Sequence, residues 1–225
     1  MTLLVLILCA AAIVIFLKRT APKIADVRAP RPRPFTDTPE CRIAVHEAGH
    51  AVAAWSCTCV TGMIIATIET ETGGVVEYTI HSSETPDGMW CLLTITLAGV
   101  AAETFVHGKA GTLSSETDLI KARKLAEQIA AKGWASPWKL EGEVPKFDIY
   151  DPPLKPQEVE VLQHSFRMAK HIVRAHDRQF HRMVVLLLTH KTVRESDVEN
   201  VLGRRNFTKV MGLVRPTFIV PKKAA

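Results

Sequence analysis

The sequence contains no C-x-x-C pair, no internal repeat, no G-x-x-x-x-G-K-[ST] phosphate loop, and no excess charge outside one short segment. Its five cysteines are Cys9, Cys41, Cys57, Cys59 and Cys91. An odd number, with Cys9 inside an apolar run, excludes a disulfide framework and points to reduced, mostly buried thiols in a cytosolic domain. A Cys57/Cys59 metal pair is the alternative, although C-x-C lacks the usual zinc spacing. Gly108-Lys109 is followed by alanine, so no P-loop nucleotide site is present in this chain. The net charge of +5 comes entirely from Lys18, Arg19, Lys23, Arg28, Arg31 and Arg33, set against Asp26. The remainder is neutral and carries no nucleic-acid footprint.

The 225 residues are 47% hydrophobic and 23% charged, enough to bury the core of one domain of ordinary size with short appendages. Residues 3–17, LLVLILCAAAIVIFL, hold no polar side chain. With Met1 and Thr2 they make about 26 Å of helix, at the short end of a bilayer span. The positive charges follow this run, whereas a cleaved signal peptide carries them in front. Residues 1–19 are therefore expected to be an uncleaved single-pass anchor with the bulk of the chain cytoplasmic. Residues 20–37, rich in proline and arginine, read as an extended linker suited to anionic lipid headgroups.

Thr38-Pro39 gives a capped helix start, and apolar residues at helical spacing carry that helix to about Trp55. Residues 63–69 and 75–80 read as two strands, and 90–106 as one mostly apolar helix with Gly99 suited to close packing. Helices are expected over about 115–132, 157–176 and 178–190, with a last one opening at Ser196 in a capping box. A loop spans roughly 136–156, and 204–225 is a tail.

The chemistry rests on His46-Glu47-Ala48-Gly49-His50 within the first of these helices. Residues four apart share a helix face, so both imidazoles can reach one ion. Zinc takes such ligands and, in catalytic sites, leaves one position for water, whose pKa it lowers to about 7. Glu47 is placed to take that water's proton and pass it to a leaving amine. A third ligand must come from elsewhere. Asp118, expected in the first turn of a helix whose dipole would keep it ionised, and Glu103, on the apolar helix, are the two carboxylates that local sequence offers. His164, His171, His176, His181 and His190 lie on charged helices and read as solvated.

From about Thr38 to Gly203 the chain resembles the peptidase domain of the FtsH family (peptidase family M41), the ATP-dependent membrane proteases. The matching pieces are RIAVHEAGHAVAAW, LAGVAAETFVHG and GTLSSETDLIKARKLAEQIAAKGWAS, in the family's order. The resemblance implies zinc held by His46, His50 and Asp118, with Glu47 as the base. It also implies a strand within residues 63–80 that an extended peptide substrate joins by backbone pairing. Family members carry an ATPase module between membrane segment and peptidase and form hexamers. Here about twenty residues separate the two.

Three functions follow as expectations. The first is a membrane-anchored zinc metalloendopeptidase acting on unfolded or loosely structured polypeptides, as a homo-oligomer or with a separate AAA ATPase or full-length FtsH-like protease. The second is a silent adaptor of such a protease, against which the intact motif argues. The third, an intramembrane protease, conflicts with Glu40 and Arg42 on the motif helix. The expected fold class is α+β: a mainly helical zincin-like metallopeptidase domain over 38–203, with a small β-hairpin or sheet, plus one N-terminal transmembrane helix.

Overall fold

The computed structural model describes residues 35–62, 65–70, 73–81, 83–138 and 153–203. The expected anchor, most of the linker and the tail lie outside them. Helix α1 (Pro39–Ser56) starts where expected, with the Thr38 hydroxyl accepting from the Cys41 N–H and proline at the first turn. Every residue from Ala44 to Ser56 is buried. A helix enclosed on all sides has to be rich in small residues, and Ala44, Ala48, Ala51, Ala53 and Ala54 meet that need.

Strands β1 (Ile65–Thr70) and β2 (Gly73–Glu77) form an antiparallel hairpin with Ala66 opposite Val76. A third strand, β3 (Thr192–Val193), pairs antiparallel with the far edge of β1, giving the order β2-β1-β3. Its two residues are too few to show the alternation that marks a strand in sequence. Among the described residues, β2 keeps one edge that pairs with no other strand.

The single helix expected over 90–106 is two, α2 (Pro86–Thr96) and α3 (Ala98–His107), broken at Leu97. Thr85 caps α2 and Gly108, at φ 78°, ends α3. The stretch Pro86–His107 is long and apolar enough to cross a membrane, yet 78% of its most apolar window is buried inside the fold. It is core: Leu93, Ile95, Leu97 and Ala98 are fully or almost fully enclosed, at about 1.5–3 kcal/mol for each large side chain.

Helix α4 (Leu113–Ala131) is capped by Thr112 and begins two residues before the expected position. Helices α5 (Pro156–Ala175) and α6 (Asp177–His190) are amphipathic and turn Leu162, Phe166, Ile172, Phe180, Met183 and Leu187 inward. Helix α7 (Glu195–Leu202) opens one residue early, because Asp197 rather than Glu199 accepts the capping N–H, that of Arg194. The observed class is mostly helical with one small antiparallel sheet.

Candidate metal centre

His46 and His50 lie one turn apart on α1, with ring centroids 4.6 Å apart. The third donor comes from α4. Asp118 Oδ2 lies 2.9 Å from His46 Nε2 and 2.8 Å from His50 Nε2, and the two Nε2 atoms are 2.9 Å apart. The three residues form a buried group whose ligand atoms can surround one metal ion. Asp118 sits in the second turn of α4, not the first, so the histidines rather than the helix terminus hold it ionised. Burial pushes its carboxyl up, but both rings outweigh that and keep it well below the usual carboxylate range.

The outer ring nitrogens decide what the inner ones present. His50 Nδ1 lies 2.8 Å from the Ile95 carbonyl, which can only accept, so Nδ1 carries the proton. His46 Nδ1 lies 2.7 Å from Glu103 Oε1. Glu103 also accepts from the Thr112 hydroxyl (2.6 Å), the Ser115 hydroxyl (2.6 Å) and the Gly111 N–H (2.9 Å). Burial works against its charge, but His46, Ser115 and Thr112 bring its pKa down to about 2. An ionised Glu103 fixes the proton of His46 on Nδ1. Both imidazoles, when neutral, then turn lone pairs toward each other and toward a carboxylate oxygen.

Three acceptors at 2.8–2.9 Å with no donor among them require a cation at their centre. A proton can serve: burial lowers the His46 pKa, yet Asp118 and Glu103 raise it to about 9. A divalent metal bound by all three would serve as well, and the two neutral nitrogens and one carboxylate are a donor set that zinc accepts. Glu103, the sequence's competitor for third ligand, therefore stands behind His46 and orients its ring.

Two close approaches make room for this arrangement. A Cβ on Gly99 of α3 would lie 2.5–2.6 Å from ring atoms of His46 and His50. A Cβ on Gly74 of β2 would lie 2.4–2.7 Å from the Glu47 carboxylate. Glu47 is 2% exposed, and burial raises its pKa against the opposing pull of His50 and His46. It borders a cavity of about 670 Å³ with His46, His50 and Asp118 on one side and Gly74–Val76, Tyr78 and Lys121 on others. Lys121 Nζ lies 3.4 Å from Asp118 Oδ1, but it is exposed and solvent screens it.

Sequence reasoning missed Tyr78, Ser115, Thr112 and the contacts of Gly74. Only Thr112 left a local signal, as the residue before an apolar helical run. The expectation for the remaining histidines needs correction. His171 and His190 are exposed, but His181 stacks on Phe35 at 5.1 Å, His176 meets Ser56 Oγ at 3.2 Å, and His164 packs against Trp90. These three sit at helix–core seams, which periodicity of charge alone does not show. Cys41, Cys57, Cys59 and Cys91 are buried and unbridged, as expected.

No family model matches the chain. Among curated proteins it is 26% identical over 179 residues to the ATP-dependent zinc metalloprotease FTSH 10, mitochondrial, of Arabidopsis thaliana. It is 27% identical over 181 residues to the corresponding FTSH 3, mitochondrial, of Oryza sativa subsp. japonica. Each match covers 73% of this chain and 22% of the relative. The chain is related to the FtsH zinc metalloproteases. The chain thus spans about a fifth of the length of the FtsH relatives it matches, and the relationship is to their peptidase region. Zinc, named in those FtsH proteins, is an ion that the His46, His50 and Asp118 donors fit.

Proposed function

We propose that this chain is a membrane-anchored zinc metalloendopeptidase of zincin-like fold, cleaving unfolded or loosely structured polypeptides. The observation that carries it is the convergence of His46 Nε2, His50 Nε2 and Asp118 Oδ2, all acceptors, beside a buried Glu47 at the edge of a cavity. His46, His50 and Asp118 would hold the zinc. Bound there, zinc supplies Lewis-acid polarisation and lowers the pKa of water to about 7. Glu47 takes the proton of the attacking water and delivers it to the departing amine. Its raised pKa suits both halves of that transfer.

Glu103 and the Ile95 carbonyl fix the Nδ1 proton of each imidazole and hold the two rings aimed. Strand β2 lines the same cavity through Gly74, Val75 and Val76, and its edge, which pairs with no other strand among the described residues, would offer backbone groups to an extended peptide. In this reading residues 38–203 are the peptidase domain and 1–19 the anchor, with the peptidase on the cytoplasmic side. A separate ATPase, in keeping with the ATP dependence named in the relatives, would deliver unfolded chains to it.

The test is zinc content by elemental analysis, with cleavage of an unfolded protein such as casein, for the parent and Asp118→Ala. The parent is expected to cleave in a chelator-sensitive way, and the variant to hold one zinc fewer and to lose cleavage. A folded parent that binds no zinc, or a variant that keeps all of it, overturns the assignment.

A further inference from the structure

Cys57 is the residue that ends α1, its N–H bonded to the Ala53 carbonyl at 3.0 Å. The chain then turns: the Val60 N–H reaches the Cys57 carbonyl at 3.2 Å, and the Cys59 carbonyl accepts from the His81 N–H at 2.7 Å. This pinned turn carries both thiols into the core, where Cys57 is 0% and Cys59 4% exposed. Cys91, on α2 and 0% exposed, completes the group, and the three Sγ atoms lie within 4.8 Å of one another. Local sequence shows only the C-x-C pair; the third thiol arrives from 32 positions away through the packing of α2 near the end of α1.

We propose that Cys57, Cys59 and Cys91 form a second, structural metal site for one thiophilic ion of the Zn²⁺ or Cu⁺ class. Sulfurs bound at about 2.3 Å to one ion stand about 4 Å apart, within the spacing seen here. Thiolates select soft and borderline ions over Mg²⁺ or Ca²⁺. Three donors satisfy Cu⁺ alone, whereas Zn²⁺ takes one further small ligand. Without metal, the neighbouring thiols and burial push the Cys91 thiol well above its ordinary value, so that side chain is tolerable in an apolar core. Loading releases thiol protons to give thiolates, and the ion enters as the chain folds.

The site has a mechanical consequence. It joins the end of α1, seven residues beyond His50, to α2, four residues before the Ile95 carbonyl that orients His50. A bound ion would clamp the two elements that position that ligand.

The full reduced chain is titrated with Cd²⁺, whose bonds to thiolate sulfur absorb in the near ultraviolet while its bonds to imidazole and carboxylate do not. A band saturating at one Cd²⁺ per chain, with the intensity of three thiolates, is expected. It should persist in Asp118→Asn and fall by at least a third in Cys91→Ser. Elemental analysis of the Asp118→Asn chain then tells Zn²⁺ from Cu⁺: one equivalent of either supports the site. A folded chain without a thiolate band overturns it, and so does a band at full strength in Cys91→Ser. Should Cys91→Ser fail to fold, the band intensity per Cd²⁺ in the unsubstituted chain decides, since two thiolates or fewer refute the group.

Discussion

At His46, His50 and Asp118 each histidine has a partner behind it, and the group borders a cavity of about 670 Å³. At Cys57, Cys59 and Cys91 the donors face one another in the core, almost without solvent contact. The difference is one of charge. Imidazole and carboxylate groups cannot share a small space without a cation, so their surroundings must fix protons in advance. Thiols can wait as neutral, apolar groups. Open access suits turnover and closure suits structure, so the two proposed sites would divide as catalytic and structural metal sites do.

The sharpest way to separate them is Glu47→Gln. It should lower cleavage by about 10²–10⁴-fold while metal content at both groups stays unchanged. Cleavage that survives the substitution removes the functional reading and leaves the two groups as equals.

Next in size is Glu103→Gln, which takes the charge from behind His46. Zinc affinity at the His/Asp group should fall about 10–100-fold, measured by competition with a chelating dye, while thiolate absorption with Cd²⁺ is untouched. An equal loss at both groups would mean that Glu103 supports the fold rather than a ligand.

A pH series gives the third contrast. In the metal-free chain His46 has its pKa raised from 6.5 to about 9. Its contribution to stability is present below pH 6.5 and is lost as pH rises through 9. Glu103, depressed from 4.5 to about 2, contributes above pH 4.5 and loses its contribution as pH falls toward 2. Thermal melts of the chelated protein should therefore fall off on both sides. Saturating zinc should flatten the alkaline side, because the metal replaces the proton on the ring. An alkaline decline of equal slope with and without zinc would contradict this.

Smallest is Thr38→Ala, which removes the cap of α1. About 1 kcal/mol of stability should go, a drop of roughly 2–4 °C in melting temperature, with neither group favoured. A selective loss of zinc would show that the start of α1 tunes His46 as well as supporting the fold.

Much of this was legible in the residues. Helical spacing of apolar positions, the Thr38-Pro39 start and the two-strand region all survive with shifts of a few residues. The four-residue spacing of His46 and His50 places both rings on one face whatever the tertiary fold. What could not be read locally depends on chain crossings. Asp118 and Glu103 are both carboxylates on helices near the motif helix, and only the packing of α3 and α4 shows which one meets Nε2 and which meets Nδ1. The break at Leu97 was hidden because an apolar sequence without proline carries no stop signal. The third thiol and β3 were invisible for the same reason, each being defined by a distant partner.

That break has a further consequence. Ile95 lies in the last turn of α2, where its carbonyl faces the N–H of the capping residue Leu97 and also holds His50. His46 is held by a side chain, Glu103, which one nucleotide change can remove. His50 is held by a main-chain oxygen that every residue type possesses. Random substitution can thus reach one half of the centre directly and the other only by bending the backbone, so inherited damage to the two histidine positions should be unequal. Loss of orientation is expected to accumulate first on the side of His46.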